Sequence, residues 1–433
     1  MKRIYPDFAY GPGPRDRCWW DDTCAAPDWP TLQGEETADV VVVGAGFTGM
    51  STALHLAQEG VSVILLEAQH PGFGASGRNG GFCCLGGGVL EEPAIDRRHG
   101  DGAGAEFLRT EIDAIDLVDR LINRFDIDVD RHSNGETLLA HRASDMKALR
   151  AEAKKIEGAY VTEQQELRDQ GLNGPFFGAM TVPQGFGLNP RKYLFGLAKA
   201  AAEKGVRQFA NSPVLGVDGR RVVTANGQVT ADRVVFATNG YSSEDVPAAL
   251  AARYLPTQST ILVTRPLSDK EISDQGWSSD QMCYDTRGLL HYFRLMPDRR
   301  FLFGLRGGLR ATPASEASAR RRARRDFDQM FPAWKDVEST HSWSGLVCLS
   351  ASGLPFVGPL PGEKHVFAGL AYHGNGVAMG SYAGFLLARL LMGEDIVPRA
   401  MRTLPRFPLG RFRRILLPPA YLARGLADLS WRS

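Results

Sequence analysis

The stretch VVVVGAGFTGM, residues 40–50, places three glycines where a continuous apolar run gives way to a helical pattern. Gly44 allows a tight turn, Gly46 lets the backbone approach a diphosphate, and Gly49 permits close packing of the helix on the strand. The N–H groups that open such a helix bind anions. Glu67 ends the next predicted strand, where its carboxylate can accept hydrogen bonds from ribose hydroxyls. The sequence therefore predicts a dinucleotide-binding βαβ unit.

The flanking pattern supports this unit. Val40–Val43 is an apolar, β-branched run typical of a strand buried on both faces of a parallel sheet. Met50, Leu54 and Ala57 share one helical face, and a second apolar run from 61 to 66 forms the next strand. We therefore predict an α/β fold with a Rossmann-like domain.

Later strand and helix signals return to this domain after long interruptions, so each domain is predicted to be discontinuous. The dinucleotide-binding domain is assigned to residues 36–90, 188–255 and 344–400. A substrate-binding domain with an antiparallel sheet is assigned to 91–187 and 256–343. Residues 1–35 are an N-terminal extension, and 401–433 form a basic amphipathic C-terminal tail.

Composition narrows the class of protein. A composition of 43% hydrophobic and 23% charged residues is typical of a soluble globular protein, and 433 residues predict two domains or one elaborated α/β unit. A net charge of +1 gives no general field for nucleic acid. The six cysteines lack metal-ligand spacing, so no metal site is predicted. The opening residues lack the apolar core of a secretory signal and no apolar run could span a bilayer, which predicts a cytoplasmic location.

A second glycine cluster, GFGASGRNGG at residues 72–81, follows Glu67 closely. Such a stretch lets backbone run along an extended ligand, and Ser76 and Arg78 can donate hydrogen bonds to phosphate or flavin oxygens. Because NAD and FAD folds share the first motif, this cluster is what favours FAD. The alternative for the cluster is a mobile surface loop.

A third cluster follows the predicted strand 366–370, where Tyr372-His373-Gly374-Asn375-Gly376 leads into a helix. If this helix begins at the N1–C2=O edge of a flavin, its dipole would stabilise the anionic reduced ring. The alternative is a plain glycine turn.

These three clusters, in this order and together with Ala237-Thr238-Asn239-Gly240, resemble the D-amino-acid oxidase superfamily of FAD enzymes over most of the chain. The segments 72–81, 292–295 and 302–304 are most similar to gamma-glutamylputrescine oxidoreductases. The resemblance implies oxidation of an amine by hydride transfer to flavin N5, giving an imine that hydrolyses to an aldehyde and an amine. Two alternatives stay open: an oxidase or dehydrogenase of D-amino acids or N-methyl amino acids, and a non-catalytic flavin-binding electron-transfer subunit.

The resemblance also implies roles for individual residues. The ADP half of FAD would be bound by Gly44, Gly46, Gly49 and Glu67, with the backbone of Val214 at the adenine. Ser76, Arg78 and Asn79 would lie by the ribityl chain and flavin, and His373, Gly374, Asn375 and Gly376 would line the pyrimidine edge.

Two departures from the family pattern matter. Relatives with a histidine tether to flavin have it where Arg78 stands, and those with a cysteine tether carry it a few residues before Cys348, where this chain has glycine. FAD is therefore expected to be non-covalent. Segment 299–310 contains no lysine to activate oxygen, so the electron acceptor is either O2 or a quinone or carrier protein.

Three residues are candidates for a catalytic role in hydride transfer. His373 could accept the amine proton, or it only shapes its turn. Arg294 could pair with a substrate carboxylate, or it forms a structural ion pair. Tyr292, with Tyr284 and Trp277, could wall the substrate pocket or serve in packing.

Two segments of the chain are strongly basic. The run 320–325 is predicted to be the solvated face of a helix. The tail, in which arginines alternate with apolar residues, is expected to contact a membrane surface or another subunit, or to pack over its own domain.

Overall fold

The predicted strand 40–43 lies at the centre of the first of two large sheets. A computed structural model describes residues 1–429, apart from the side chains at 424, 427 and 429. The strands are β1 (Gly34–Val43), β2 (Val63–Leu66), β3 (Phe82–Cys83), β4 (Glu136–Leu139), β5 (Tyr160–Glu163), β6 (Gly178–Val182), β7 (Phe186–Gly187), β8 (Arg207–Phe209), β9 (Gly216–Asp218), β10 (Arg221–Val223), β11 (Gly227–Phe236), β12 (Tyr254–Thr264), β13 (Met282–Asp285), β14 (His291–Leu295), β15 (Phe301–Arg306), β16 (Ser339–Ser350), β17 (Phe356–Pro359) and β18 (Val366–Leu370). The α-helices are α1 (Phe47–Gln58), α2 (Glu92–His99), α3 (Ala103–Arg124), α4 (Asp145–Ala153), α5 (Pro190–Glu203), α6 (Asp269–Gln275), α7 (Pro313–Met330), α8 (Ala378–Leu391) and α9 (Leu417–Leu429).

The first sheet has the strand order β17-β18-β11-β1-β2-β8, in which β1 is parallel to both β11 and β2. Val41 and Val42 are fully buried because the two faces of β1 are both covered. One face packs against α1, α5 and α8, and the other against a second apolar cluster that includes Ile64 and Val234. The prediction of a Rossmann-like α/β domain is confirmed.

The second sheet has the order β16-β12-β15-β14-β13-β4-β6-β5 and is antiparallel except where β13 pairs with β4. One face packs on α7 through an aromatic cluster that contains Phe293, Phe301 and Phe331. Trp277 is fully buried in this cluster. It packs in the core and does not form part of the pocket wall, contrary to the prediction. Strand β16 remains paired with β12 up to Ser350, which carries the second sheet beyond the predicted domain boundary at residue 344.

The basic run 320–325 lies in α7, where Arg320 and Arg322 pair with acidic residues one turn away. The tail packs on its own chain: the buried Arg413 forms an ion pair with Glu244, and Asp428 accepts a hydrogen bond from the Gly288 N–H. Apolar side chains of the tail stay exposed: Leu409, Phe412, Ile415, Leu422 and Leu426. Within the described residues no helix combines the length and the apolar character needed to cross a bilayer. Contact of the tail with a membrane or subunit stays a prediction.

Candidate active site

A central cavity of about 410 Å³ is lined by residues of both sheets, by the glycine segment 72–80 and by the turn 372–377. The predicted residues Gly44, Gly46, Glu67 and Val214 line one end. Ser76, Arg78, Asn79, Tyr292 and the turn residues His373, Gly374, Asn375 and Gly376 line the rest. Residues far apart in the sequence therefore form one site.

The three glycines of the first motif are required by close contacts. A Cβ on Gly44, whose φ is +103°, would lie 2.8 Å from the Ala237 carbonyl oxygen, and one on Gly46 would lie 2.8 Å from Ser76 Oγ. Gly49 does not line the cavity, but a Cβ there would lie 1.9 Å from the Gly44 carbonyl oxygen. Gly49 thus serves helix packing, whereas Gly46 keeps the cavity wall open.

Glu67 is positioned by backbone amides. Its carboxylate accepts hydrogen bonds from the N–H groups of Ala45 and Gln69, each with an N···O distance of 3.0 Å. These bonds hold the carboxylate against the glycine turn at the end of β2. A fixed carboxylate on this wall can accept hydrogen bonds from the hydroxyls of a ribose.

The glycine segment holds its own shape through side chains predicted to contact the ligand. Ser76 Oγ accepts a hydrogen bond from the Phe47 N–H at 3.0 Å, which ties the segment to the start of α1. Asn79 donates to the carbonyls of Ala75 and Ser76 and accepts from the Gly81 N–H. The Asn79 side chain therefore closes the loop.

The N-terminal extension forms hydrogen bonds with the same glycine segment. The sequence did not indicate this contact. Arg15 is buried and donates hydrogen bonds to the carbonyls of Gly72, Phe73 and Gly77. The Trp20 indole N–H donates to the Asn79 carbonyl at 2.8 Å. The extension is thus part of the structure that shapes the cavity.

His373 sits in the turn before α8 with φ of 51°. Its Nε2 lies 3.1 Å from the Ser350 hydroxyl oxygen. Burial, and the nearby Arg306 guanidinium, lower the pKa of His373 to about 4. A histidine with this pKa is neutral at pH 7 and holds a proton weakly, which weakens its predicted role as proton acceptor.

Arg294 does not line the cavity, contrary to its predicted contact with substrate. Its guanidinium is fully buried and donates to the carbonyls of Gly81 and Leu188 at 3.1 and 2.9 Å. It also lies 3.0 Å from His132 Nε2, and Asp130 O is 2.7 Å from His132 Nδ1. Arg294 therefore ties β14 to the loops at Gly81, His132 and Leu188.

Acid is expected to destabilise the protein through its buried histidines. Burial and the Arg294 guanidinium lower the pKa of His132 to about 3, and the pKa of His373 is about 4. Because the folded state disfavours their protonation, their contribution to stability is full above pH 6.5 and is lost as the pH falls toward 4. Between pH 6.5 and pH 4.5 each histidine should cost the folded state roughly 2 to 3 kcal/mol. Urea unfolding at pH 7 and pH 4.5 measures this loss, and His132→Gln should reduce it; an equal loss in that variant would contradict the prediction.

Four side chains of the second sheet complete the lining. Tyr292 donates to or accepts from Ser259 Oγ at 2.8 Å, and burial raises the pKa of its phenol to about 12. Tyr284 lines the same wall, as predicted for an aromatic of this strand. Glu136 and Arg306 also line the cavity and were missed, because neither lies in a motif.

The lining fits FAD. Three buried polar atoms on cavity residues have no hydrogen-bond partner among the described residues: Arg78 Nη2, Tyr241 Oη and His373 Nδ1. Each could bond to the phosphates, ribityl hydroxyls or ring of a flavin dinucleotide. The open glycine wall at Gly44 and Gly46 leaves room for the diphosphate.

Comparisons with known proteins agree with this site. Residues 39–390 match the family model described as "DAO: FAD dependent oxidoreductase". The gamma-glutamylputrescine oxidoreductase of Escherichia coli K12 is 31% identical over 93% of this chain and 94% of its own length. The probable oxidoreductase OrdL of Haemophilus influenzae is 29% identical over 93% of this chain and 91% of its own length.

The fold also matches solved structures. The crystal structure of glycine oxidase from Geobacillus kaustophilus superposes with a TM-score of 0.69 at 20% identity, covering 86% of this chain and 99% of that one. The predictions of FAD as cofactor and of an oxidoreductase of amines or amino acids are confirmed by the family match. The chain belongs to the DAO family of FAD-dependent oxidoreductases.

Proposed function

We propose that this enzyme oxidises the carbon next to the terminal amine of an elongated substrate that also carries a carboxylate, of the γ-glutamylputrescine type. The imine formed would hydrolyse to an aldehyde and ammonia. The relative with 31% identity supports this substrate class. The observation that carries the proposal is the lining that the second sheet gives to the cavity, where Arg306 supplies a cation and Glu136 a carboxyl group on a mostly apolar wall.

The chain's own residues would position the substrate. FAD bound in the cavity would supply the hydride acceptor. Tyr284 and Tyr292 would form an aromatic wall that limits the access of water to the amine, because both line the cavity and are only partly exposed. Arg306, at the end of β15, lies against the turn of His373 and Gly374 and provides a positive charge for the carboxylate.

Anaerobic reduction of the bound flavin by a panel of amines tests the proposed substrate class. The panel contains γ-glutamylputrescine, putrescine, sarcosine and several D-amino acids, and bleaching of the flavin is read by visible absorbance. We expect the fastest bleaching with γ-glutamylputrescine. Preference for sarcosine or a D-amino acid would replace the proposal by the amino-acid oxidase alternative, and no bleaching by any amine would favour a non-catalytic flavin subunit.

Arg306→Met is expected to weaken binding of carboxylate-bearing substrates. Loss of one charge-assisted contact should raise KM for γ-glutamylputrescine at least tenfold, with a smaller change in kcat. The KM for an acylated putrescine that lacks the carboxylate should stay near the wild-type value. Arg310→Met, at an exposed position four residues on, is the control. An equal rise of KM for both substrates would contradict an anchoring role.

We also propose that FAD is held without a covalent bond. Two cysteines line the cavity, Cys84 and Cys348, and burial raises the pKa of both thiols, that of Cys348 to about 12. Protonated thiols are poor nucleophiles. Acid precipitation should therefore leave the yellow colour in the supernatant, and colour in the pellet would refute the proposal.

The electron acceptor is proposed to be O2 or a quinone or carrier protein. Stopped-flow reoxidation of the reduced enzyme by air distinguishes the two cases, since a slow reaction would identify a dehydrogenase. The cytoplasmic location stays a prediction.

A further inference from the structure

The cavity has little negative charge on its walls. Of the described residues that line it, the only acidic ones are Glu67 and Glu136. Glu67 belongs to the glycine turn that fits the ADP half of FAD, and its carboxylate is held by two backbone amides. An amine substrate enters as a cation at neutral pH and needs an anionic partner. Glu136 is the other carboxyl group on the wall, and a cation bound beside it would favour its ionised form.

Glu136 is buried, with 3% of its surface exposed, at the start of β4. The Cys84 thiol and the Leu85 backbone amide lie beside its carboxyl group, and Tyr284 is close on the neighbouring strand β13. Glu111 approaches from α3. Ionising a buried carboxyl group that faces the cavity costs free energy unless a cation binds beside it.

The sheet separates Glu136 from Arg306. Their strands, β4 and β15, flank β13 and β14, so the two backbones lie three strand spacings apart, or roughly 14 Å across the sheet. Both side chains line the cavity from these separate strands. This arrangement suits a long substrate with an amine at one end and a carboxylate near the other.

We propose that Glu136 receives the ammonium group of the substrate amine and accepts its proton before hydride removal. The N–H bond breaks with its electron pair left on nitrogen, and an O–H bond forms on the Glu136 carboxylate. With FAD bound as the hydride acceptor, the freed nitrogen pair would be available to form the C=N bond as the neighbouring carbon gives up its hydride. Glu136 would hold the amine proton and release it to solvent with the product. This assignment rests on the proposed function.

The electrostatics of the site support this assignment. Burial raises the pKa of Glu136 to about 8, and Glu111 adds to the rise, while Cys84 and the Leu85 amide partly offset it. Burial also raises the pKa values of the adjoining Cys84 and Tyr284, and the positive charge of Arg306 partly offsets that rise. Glu136 therefore holds a proton far more firmly than His373, whose pKa is about 4. It is the better proton acceptor of the two.

Glu136→Gln tests the proposal in the FAD-loaded enzyme by the pH dependence of anaerobic flavin reduction. The wild-type rate should level off above about pH 8. The variant must take neutral amine from solution, so its rate should keep rising to the amine's own pKa, about 10.4. We expect a rate about 100-fold lower at pH 7 and little difference above pH 10.

Glu111→Gln is the matched control, because Glu111 is a neighbouring carboxyl that does not line the cavity, and burial raises its pKa to about 7. This variant should keep a rate that levels off, at a somewhat lower pH than in wild type because Glu111 no longer raises the pKa of Glu136. An amine of lowered basicity, fluorinated next to the aminomethyl carbon, should bring the rate of Glu136→Gln at pH 7 to within a few-fold of wild type. A wild-type pH profile in Glu136→Gln, or equal losses in both variants, would overturn the proposal.

A binding measurement gives a second readout that needs no turnover. An amine whose α-carbon bears no hydrogen cannot be oxidised, and calorimetry measures its affinity. Glu136→Gln should weaken this binding about tenfold, and Glu111→Gln should not; unchanged affinity in Glu136→Gln would count against the assignment. If no amine reduces the wild-type flavin, the proposed function fails; if amines do so but Glu136→Gln behaves as wild type, only the role of Glu136 fails.

Discussion

Replacing Gly46 with valine is expected to give a folded protein that no longer retains FAD. The backbone at Gly46 has φ of −82° and ψ of −174°, which valine adopts readily. Its Cβ would instead lie 2.8 Å from Ser76 Oγ and occupy the cavity wall. Blocking the approach to the diphosphate should lower FAD affinity at least about 100-fold, or ~2.7 kcal/mol.

Visible absorbance of the purified protein and its FAD titration measure this effect, and circular dichroism checks the fold. Gly216→Ala is the control, because no atom lies within 4 Å of a Cβ at Gly216, and it should retain FAD as wild type does. A yellow Gly46→Val protein with wild-type affinity would place the diphosphate elsewhere.

Among substitutions in the N-terminal extension, Arg15→Ala is expected to cause the largest loss of stability. The substitution removes a buried guanidinium that donates to the Gly72, Phe73 and Gly77 carbonyls and pairs with Asp21. Three carbonyls in the glycine segment would lose a charged donor, at a cost of about 3 kcal/mol. Because that segment lines the cavity, FAD should also dissociate faster.

Thermal unfolding with and without added FAD measures both effects. Arg17→Ala is the matched control, since Arg17 is exposed and donates instead to the Thr340 carbonyl outside the cavity. Equal stability and equal FAD release in Arg15→Ala and wild type would show that the extension merely covers the surface.

Local sequence was sufficient to predict the dinucleotide site. The glycine motif 44–49, its strand and its helix are read from neighbouring residues, and the structure places them as expected. The cap at Asn189 is likewise local: its side chain accepts hydrogen bonds from the Arg191 and Lys192 N–H groups at the start of α5. Such features depend on spacing within a single element.

The substrate end was harder to predict because it depends on which part of a sheet face is covered. Tyr292 and Arg294 are two residues apart on β14, so their side chains point to the same face of the sheet. Loop residues distant in sequence, Gly81 and Leu188, cover the face at Arg294 and leave Tyr292 on the cavity. No pattern within β14 distinguishes these two positions.

Glu136 was missed for a related reason. Its place beside the cavity depends on the pairing of β4 with β13, whose residues lie far along the chain. The role of the N-terminal extension was missed because the partners of Arg15 lie in the glycine segment. Contacts between residues so far apart along the chain leave no periodic pattern in the sequence.

The interleaved path of the chain through both sheets has a mechanical consequence. A single proteolytic nick at the exposed turn of Asp218 and Gly219 would leave an N-terminal fragment with β1 and β4 and a C-terminal fragment with β11 and β13. Because β1 pairs with β11 and β4 pairs with β13, the fragments would stay interlocked through two separate sheets. The cleaved enzyme would then run as one particle in solution and come apart only in denaturant.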